Sequence, residues 1–183
     1  MLASPAWSEP HAQAKYELAQ LIKFYSPQAM SPSVAVLTQA VYGTVEASTL
    51  LKIEAQADTM LSQWHRESEF NPKATGLPHE DSSGITQTRI SNTAMWREFW
   101  KKRGVTLGPF KEIRTQVFFG VAEFYWKLGD AKGDVKDAVR RYNGGLKGYP
   151  SMGRAVRYAD RVMISRKVIF NRPYVKGEKQ KRN

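Results

Sequence analysis

The chain has 183 residues and a net charge of +11, with 42% apolar and 25% charged residues. That balance supports one packed domain, or one domain plus a short extension, and excludes a disordered, collagen-like or low-complexity chain. There are no cysteines, which excludes disulfides, thiolate metal sites and cysteine nucleophiles; with only His11, His65 and His79 as histidines, no metal or other cofactor is expected.

Helical periodicity dominates the chain, and convincing alternating strands are missing. A first helix is predicted from about Pro10 to Tyr25, with Tyr16, Leu18, Ala19, Leu21, Ile22 and Phe24 as its apolar set and Ser26-Pro27 as its stop. Ser31-Pro32 reads as an N-cap followed by proline at the first helical position, opening a second helix to about Val41. A long third helix is predicted from about Ala47 to Glu69, because Leu50, Ile53, Ala57, Met60, Leu61 and Trp64 fall on one face.

Asn71-Pro72 ends that helix, and residues 72–87 read as a polar, glycine-containing loop. A helix over about Thr93 to Arg103 follows, then one opened by Pro109 and running to Leu128. Residues 129–134 form a turn in which Asp134 caps a short helix to Tyr142, stopped by Asn143-Gly144-Gly145. Ser151 caps a last helix to about Phe170. The expected fold is all-α, with six or seven helices and little or no sheet. Trp96, Phe99, Trp100, Phe118, Phe119, Tyr125 and Trp126 recur at helical spacing and are expected in the core, although such rings can also stack on sugars.

The positive charge gathers at the C-terminus, where residues 154–183 hold ten Lys and Arg against two acids, a net of +8. Such a segment steers a protein toward polyanions, here an anionic cell envelope or nucleic acid, or else serves as a solvated tail. No apolar run is long enough to span a bilayer, so no transmembrane segment is expected.

Four short blocks stand out in order along the chain. They are Glu67-Ser68-Glu69-Phe70-Asn71-Pro72-Lys73-Ala74, Gly84-Ile85-Thr86-Gln87, Tyr142-Asn143-Gly144-Gly145, and Tyr158 with Val162 four residues on. Together they resemble the soluble lytic transglycosylase family, relatives of goose-type lysozyme that cleave the glycan strands of peptidoglycan. The family pattern is Glu-Ser-x-Phe-Asn-Pro-x-Ala, Gly-Leu-Met-Gln, Tyr-Asn-Ala-Gly or Tyr-Asn-Gly-Gly, and Tyr with Val four residues later. The resemblance covers about 100 residues, from Trp64 to Val162, and leaves out residues 1–45 and the tail. Ile85-Thr86 stands where the family has Leu-Met, which changes the residue expected to face the cleft at 86.

The resemblance implies a lysozyme-like helical fold; with the flanks it leaves out, the expected division is an N-terminal helical extension packed on the domain (1–45), a lytic transglycosylase-like domain (46–170) and a basic tail (171–183). The resemblance also implies a muramidase that cleaves the β-1,4 bond between N-acetylmuramic acid and N-acetylglucosamine, and a monomer is expected. Glu67 would be the single acid and base, closing a 1,6-anhydro ring on the muramyl sugar. Ser68 would hydrogen-bond at the helix end; Gln87 and the backbone at Ile85 and Thr86 would line the cleft and bind N-acetyl groups. Tyr142 and Asn143 would hydrogen-bond the sugar or Glu67, and Tyr158 would reach the acid from the last helix.

The helical wheel supports the same choice of acid. Glu67 falls at the edge of the stripe made by Met60 and Trp64, a setting that raises a carboxyl pKa, whereas Glu69 projects toward water. A hydrolase needs a second carboxylate. Glu80 or Asp81, in the loop before Gly84, would serve if that loop folds over the cleft, and the enzyme would then be a goose-type-like lysozyme. A non-catalytic basic protein that binds envelope or nucleic acid accounts for the charge but leaves the four blocks unexplained. The segment Met1–Pro10 has neither a positive stretch nor a long apolar one, so no secretory signal is expected. The expected setting is therefore a bacteriophage lysin, made in the host cytoplasm and delivered to the wall through a holin lesion or by the virion.

Overall fold

A computed structural model describes residues 8–26, 32–77, 80–144 and 152–173. Within them the chain is all-α, with seven α-helices and one two-stranded sheet. Pro27, the Ser31 and Ser151 caps, Gly145 and the chain from Tyr174 onward lie outside the described residues.

Helix α1 (Ser8–Tyr25) buries Ala14, Glu17, Leu21 and Tyr25, one stripe spaced by three or four residues, and packs on α2 and α7. Tyr16 and Ile22, expected in that stripe, stay exposed. Helix α2 (Val34–Leu50) starts at Ser33, whose Oγ accepts a hydrogen bond from Val36 N at 3.3 Å. Its small residues Ala40, Gly43, Thr44, Ala47 and Ser48 are buried, letting α5 (Ile113–Asp130) lie close along it. A Cβ added at Gly43 would lie 3.5 Å from Val117.

The long helix expected from Ala47 to Glu69 is two helices. Lys52 adopts a left-handed conformation (φ 56°), and Ile53 N donates to Ser48 O at 2.9 Å, closing α2 in a Schellman-like turn. A 3₁₀ turn at Glu54–Gln56 then leads into α3 (Ala57–Ser68). No glycine or asparagine marks the break, so a continuous apolar stripe hides it. The boundary expected at residue 46 therefore falls inside α2, whose inner face is part of the common core.

The first eight residues of α3 are all buried, including Asp58, Thr59, Ser62 and Gln63. Asp58 is held by Arg166 of α7 (Met152–Phe170) at 2.9 Å and by Arg172 at 3.4 Å, and Arg172 also lies 3.5 Å from Glu17 of α1. Burial, followed by the neighbouring Asp58 charge, pushes the Glu17 carboxyl up to about 7. This ionic cluster ties α1, α3 and α7 together, so the segment just after Phe170 packs on the domain and is not free tail.

The segment expected to be a loop at 72–87 holds β1 (Ser82–Ser83), which pairs antiparallel with β2 (Thr88–Arg89) just beyond it, in the register Ser82 to Arg89 and Ser83 to Thr88. Strands of two residues are too short to show alternation. A 3₁₀ turn leads into α4 (Thr93–Lys101), and α5 begins at Ile113, four residues beyond the proline expected to open it. Asp134 caps α6 (Val135–Gly144) through Asp137 N at 2.8 Å. Of the core aromatics, Trp96, Trp100, Phe118 and Phe119 are buried and Trp126 is largely exposed.

Candidate functional site

The site is built on the last turn of α3. Trp64 anchors that turn: it is buried, its Nε1 donates to Thr44 Oγ1 at 3.1 Å, and its ring lies 6.0 Å from that of Tyr142. Glu67, one turn on, is half-buried on the same side, while Glu69 is exposed. The helix stops because Glu69 (φ 51°) and Phe70 (φ 61°) are both left-handed, and Phe70 turns back into the core. Ser68 Oγ donates to Ile85 O at 2.7 Å, fastening the turn after β1 to the helix that carries Glu67.

The turn Gly84–Gln87 is held from behind by Gln116 of α5. Gln116 Oε1 accepts from Ile85 N at 2.9 Å, its Nε2 donates to Pro72 O at 3.1 Å, and its carbonyl accepts from Thr86 Oγ1 at 3.1 Å. Gly84 has φ +78°, and a Cβ there would meet Gln116 Oε1 at 2.5 Å, so both conformation and space demand glycine. Ile85 and Thr86 are fully buried. The expectation that they line the cleft is therefore corrected: Thr86 packs inward against α5, where a Cβ added to Gly120 would lie 2.5 Å from its Cγ2. A hydroxyl-bearing, β-branched residue fits there because Gln116 O and Thr88 Oγ1 (2.8 Å) satisfy its hydroxyl. Gln87 does line the cleft. Its amide is committed to the hairpin, with Nε2 donating to Gly84 O at 2.9 Å and Oε1 accepting from Ser82 Oγ at 3.2 Å.

From α6, Tyr142 and Asn143 also line the cleft. The Tyr142 hydroxyl donates to Thr86 O at 3.0 Å and not to Glu67. From α7, the Tyr158 hydroxyl donates to Glu67 Oε1 in a short hydrogen bond. Burial raises both phenols well above their ordinary pKa, so both remain donors across the physiological range.

The cleft encloses about 470 Å³, within the range of small-ligand sites, and is walled by Glu67, Glu80, Asp81, Glu123 and Arg89 together with Gln87, Tyr142 and Asn143. Burial pushes the Glu67 carboxyl up to about 7; the Tyr158 hydrogen bond opposes this, and the charges of Glu123 and Glu80 add to it. Asp81 is held below the usual carboxylate range by its hydrogen bonds to Ser91, whose N–H lies 2.8 Å from Oδ2. Glu80 is exposed and accepts from Leu77 N at 3.4 Å. Among the described residues no group of His, Asp or Glu is placed to hold a metal ion.

Two contributors lie outside the four sequence blocks. Gln116 gives no sequence signal, because a glutamine inside an apolar helix carries no pattern of its own. Glu123 of α5 lines the cleft with its carboxyl raised by burial, against the pull of Lys127 and Arg89, and its Oε2 has no hydrogen-bond partner among the described residues. It does carry a signal: it is the one charged residue in the otherwise apolar run from Val117 to Trp126.

The arrangement therefore offers one carboxyl poised between acid and base near neutrality, fixed by a tyrosine, in a polar cleft. Compared with known proteins, the chain matches no family model, no curated protein and no solved structure.

Proposed function

We propose that the protein is a peptidoglycan-cleaving muramidase acting as a lytic transglycosylase on the β-1,4 bond between N-acetylmuramic acid and N-acetylglucosamine. One observation carries the reading: Glu67 sits half-buried in a polar cleft with its carboxyl raised to about 7 and its Oε1 bound by Tyr158. A carboxyl with that pKa is protonated often enough to act as acid and is basic enough to take the proton back. The resemblance of the four sequence blocks to lytic transglycosylases supplies the substrate class.

In the first step protonated Glu67 gives its proton to the glycosidic oxygen. The bond from that oxygen to muramyl C1 breaks, and the N-acetylglucosamine leaves as an alcohol while positive charge builds on the ring. In the second step the Glu67 carboxylate takes the proton of the muramyl 6-hydroxyl, whose oxygen bonds to C1. The products are a 1,6-anhydro end and a protonated Glu67, ready for the next turnover. The Tyr158 hydroxyl stabilises the carboxylate between the steps. No water is consumed.

A second reading, a hydrolytic lysozyme, is favoured by Glu123 in the same cleft, more than by the loop acids. Asp81 is committed to Ser91, and Glu80 is exposed. Mass spectrometry of glycan fragments released from purified peptidoglycan tests the choice. Anhydromuramyl ends are expected; reducing ends, one water heavier, would make the enzyme a lysozyme, and no fragments at all would reject both.

A further inference from the structure

Beside the cleft lies a smaller cavity of about 140 Å³, walled by Asn92, Met95 and Trp96 from the start of α4 and by Glu123, Trp126 and Lys127 from α5. Each set is spaced i, i+3, i+4, so each helix turns one face toward the cavity. Glu123 lines both spaces, so the cavity adjoins the cleft that holds Glu67.

The lining is unlike ordinary packing. Trp126 is 47% exposed and Met95 40% exposed, although each is large and apolar. The two indoles meet edge to face with centroids 5.7 Å apart, which fixes Trp126 without covering it. The Trp96 ring is 2% exposed, yet its Nε1 has no hydrogen-bond partner among the described residues, and neither has Glu123 Oε2. A buried donor and a buried acceptor left unpaired at one cavity are costly unless a ligand or water completes them. An open indole face, an unpaired N–H and an unpaired carboxyl oxygen together match a pyranose, which has an apolar C–H face and a rim of hydroxyl and acetamido groups.

We propose that this corner is a saccharide subsite, in which Trp126 stacks on a sugar of the glycan strand one or more units away from the bond at Glu67, while Trp96 Nε1 and Glu123 hydrogen-bond its polar rim. The subsite rests on the reading of the main cleft as a glycan site. It assigns Trp126 a role in holding long strands and none in the chemistry.

The test uses Trp126→Ala, with Trp126→Phe as the variant that keeps a ring, and Trp96→Phe, which keeps the ring and removes the N–H. Trp126 is half in solvent, so its replacement leaves the core intact. With chitohexaose as probe and Glu67→Gln as the binding protein, calorimetry is expected to show about tenfold weaker binding on adding Trp126→Ala, with most of it restored by phenylalanine. On peptidoglycan, Trp126→Ala in the otherwise intact chain is expected to raise KM about tenfold at unchanged kcat, the mark of lost uniform binding. Equal chitohexaose affinity with and without Trp126, or no binding by either protein, overturns the subsite. Digestion by the unsubstituted enzyme, run alongside, separates the two failures. If it digests normally while Trp126→Ala is indistinguishable from it, the subsite falls and the main cleft stands; if it digests nothing, the reading of the cleft has failed.

Discussion

Glu67→Gln separates the cost of holding a charged carboxyl in the cleft from everything else the side chain does. Glutamine has the shape of the protonated acid, and its Oε1 can still accept the Tyr158 hydrogen bond. The Glu67 pKa rises from 4.5 to about 7 on folding. Below pH 4.5 the carboxyl is protonated in both states, and the substitution should be nearly neutral. Between 4.5 and 7 the unfolded chain ionises first, so the wild type loses stability as pH rises. Above 7 the full cost is present, at most about 3 kcal/mol, because a tenfold change in an ionisation equilibrium is worth about 1.4 kcal/mol. Glu67→Gln should therefore melt higher than wild type at pH 8, by up to about 6–12 °C for a domain of this size, and at the same temperature at pH 4. Glu17 titrates in both proteins and cancels. Melting followed by circular dichroism across that pH range is the assay. Equal melting at every pH, or a gain as large at pH 4 as at pH 8, would refute the claim that Glu67 is held against its charge.

Two further substitutions probe the frame of the site. Tyr158→Phe removes the donor that stabilises the Glu67 carboxylate, so the pKa should rise further, by about one pH unit for a hydrogen bond to a charged group. The alkaline limb of the pH–rate profile should move to higher pH while the plateau falls; a limb that stays or moves down would contradict the bond. Gly120→Ala places a methyl group 2.5 Å from Thr86 Cγ2 and 2.9 Å from Trp64, and should cost about 1–3 kcal/mol in denaturant unfolding. A neutral result would mean that α5 does not press on the turn before β2.

The sequence is most informative where a residue's neighbours on one helix decide its surroundings. The wheel through Met60 and Trp64 places Glu67 on the half-buried side of α3, where the helix face decides burial; Glu69 is exposed as expected, but because it lies past the helix end in a left-handed conformation. The wheel fails at Lys52, where the chain turns through a left-handed residue that is neither glycine nor asparagine and the apolar stripe runs on as if unbroken. Ile85 and Thr86 escape a sequence reading for another reason. Their orientation is fixed by Gln116, 30 and 31 residues away, and by the close approach of α5 at Gly120, and no local pattern encodes either. Glu123 is legible in principle, as an acid in an apolar helix, but such a residue identifies a cleft only once the opposite wall is known. Arg172 reads as the first charge of a free tail because its partners, Glu17 and Asp58, lie more than a hundred residues earlier.

On the proposed mechanism one carboxyl, that of Glu67, moves the proton that breaks a wall glycan. Its most direct test is the rate at which soluble fragments leave purified peptidoglycan, measured for the wild type, Glu67→Gln and the exposed neighbour Glu69→Gln. Near-complete loss is expected for Glu67→Gln, at least about a hundredfold for removal of a general acid, with Glu69→Gln close to wild type. Digestion by Glu67→Gln at the wild-type rate would contradict it.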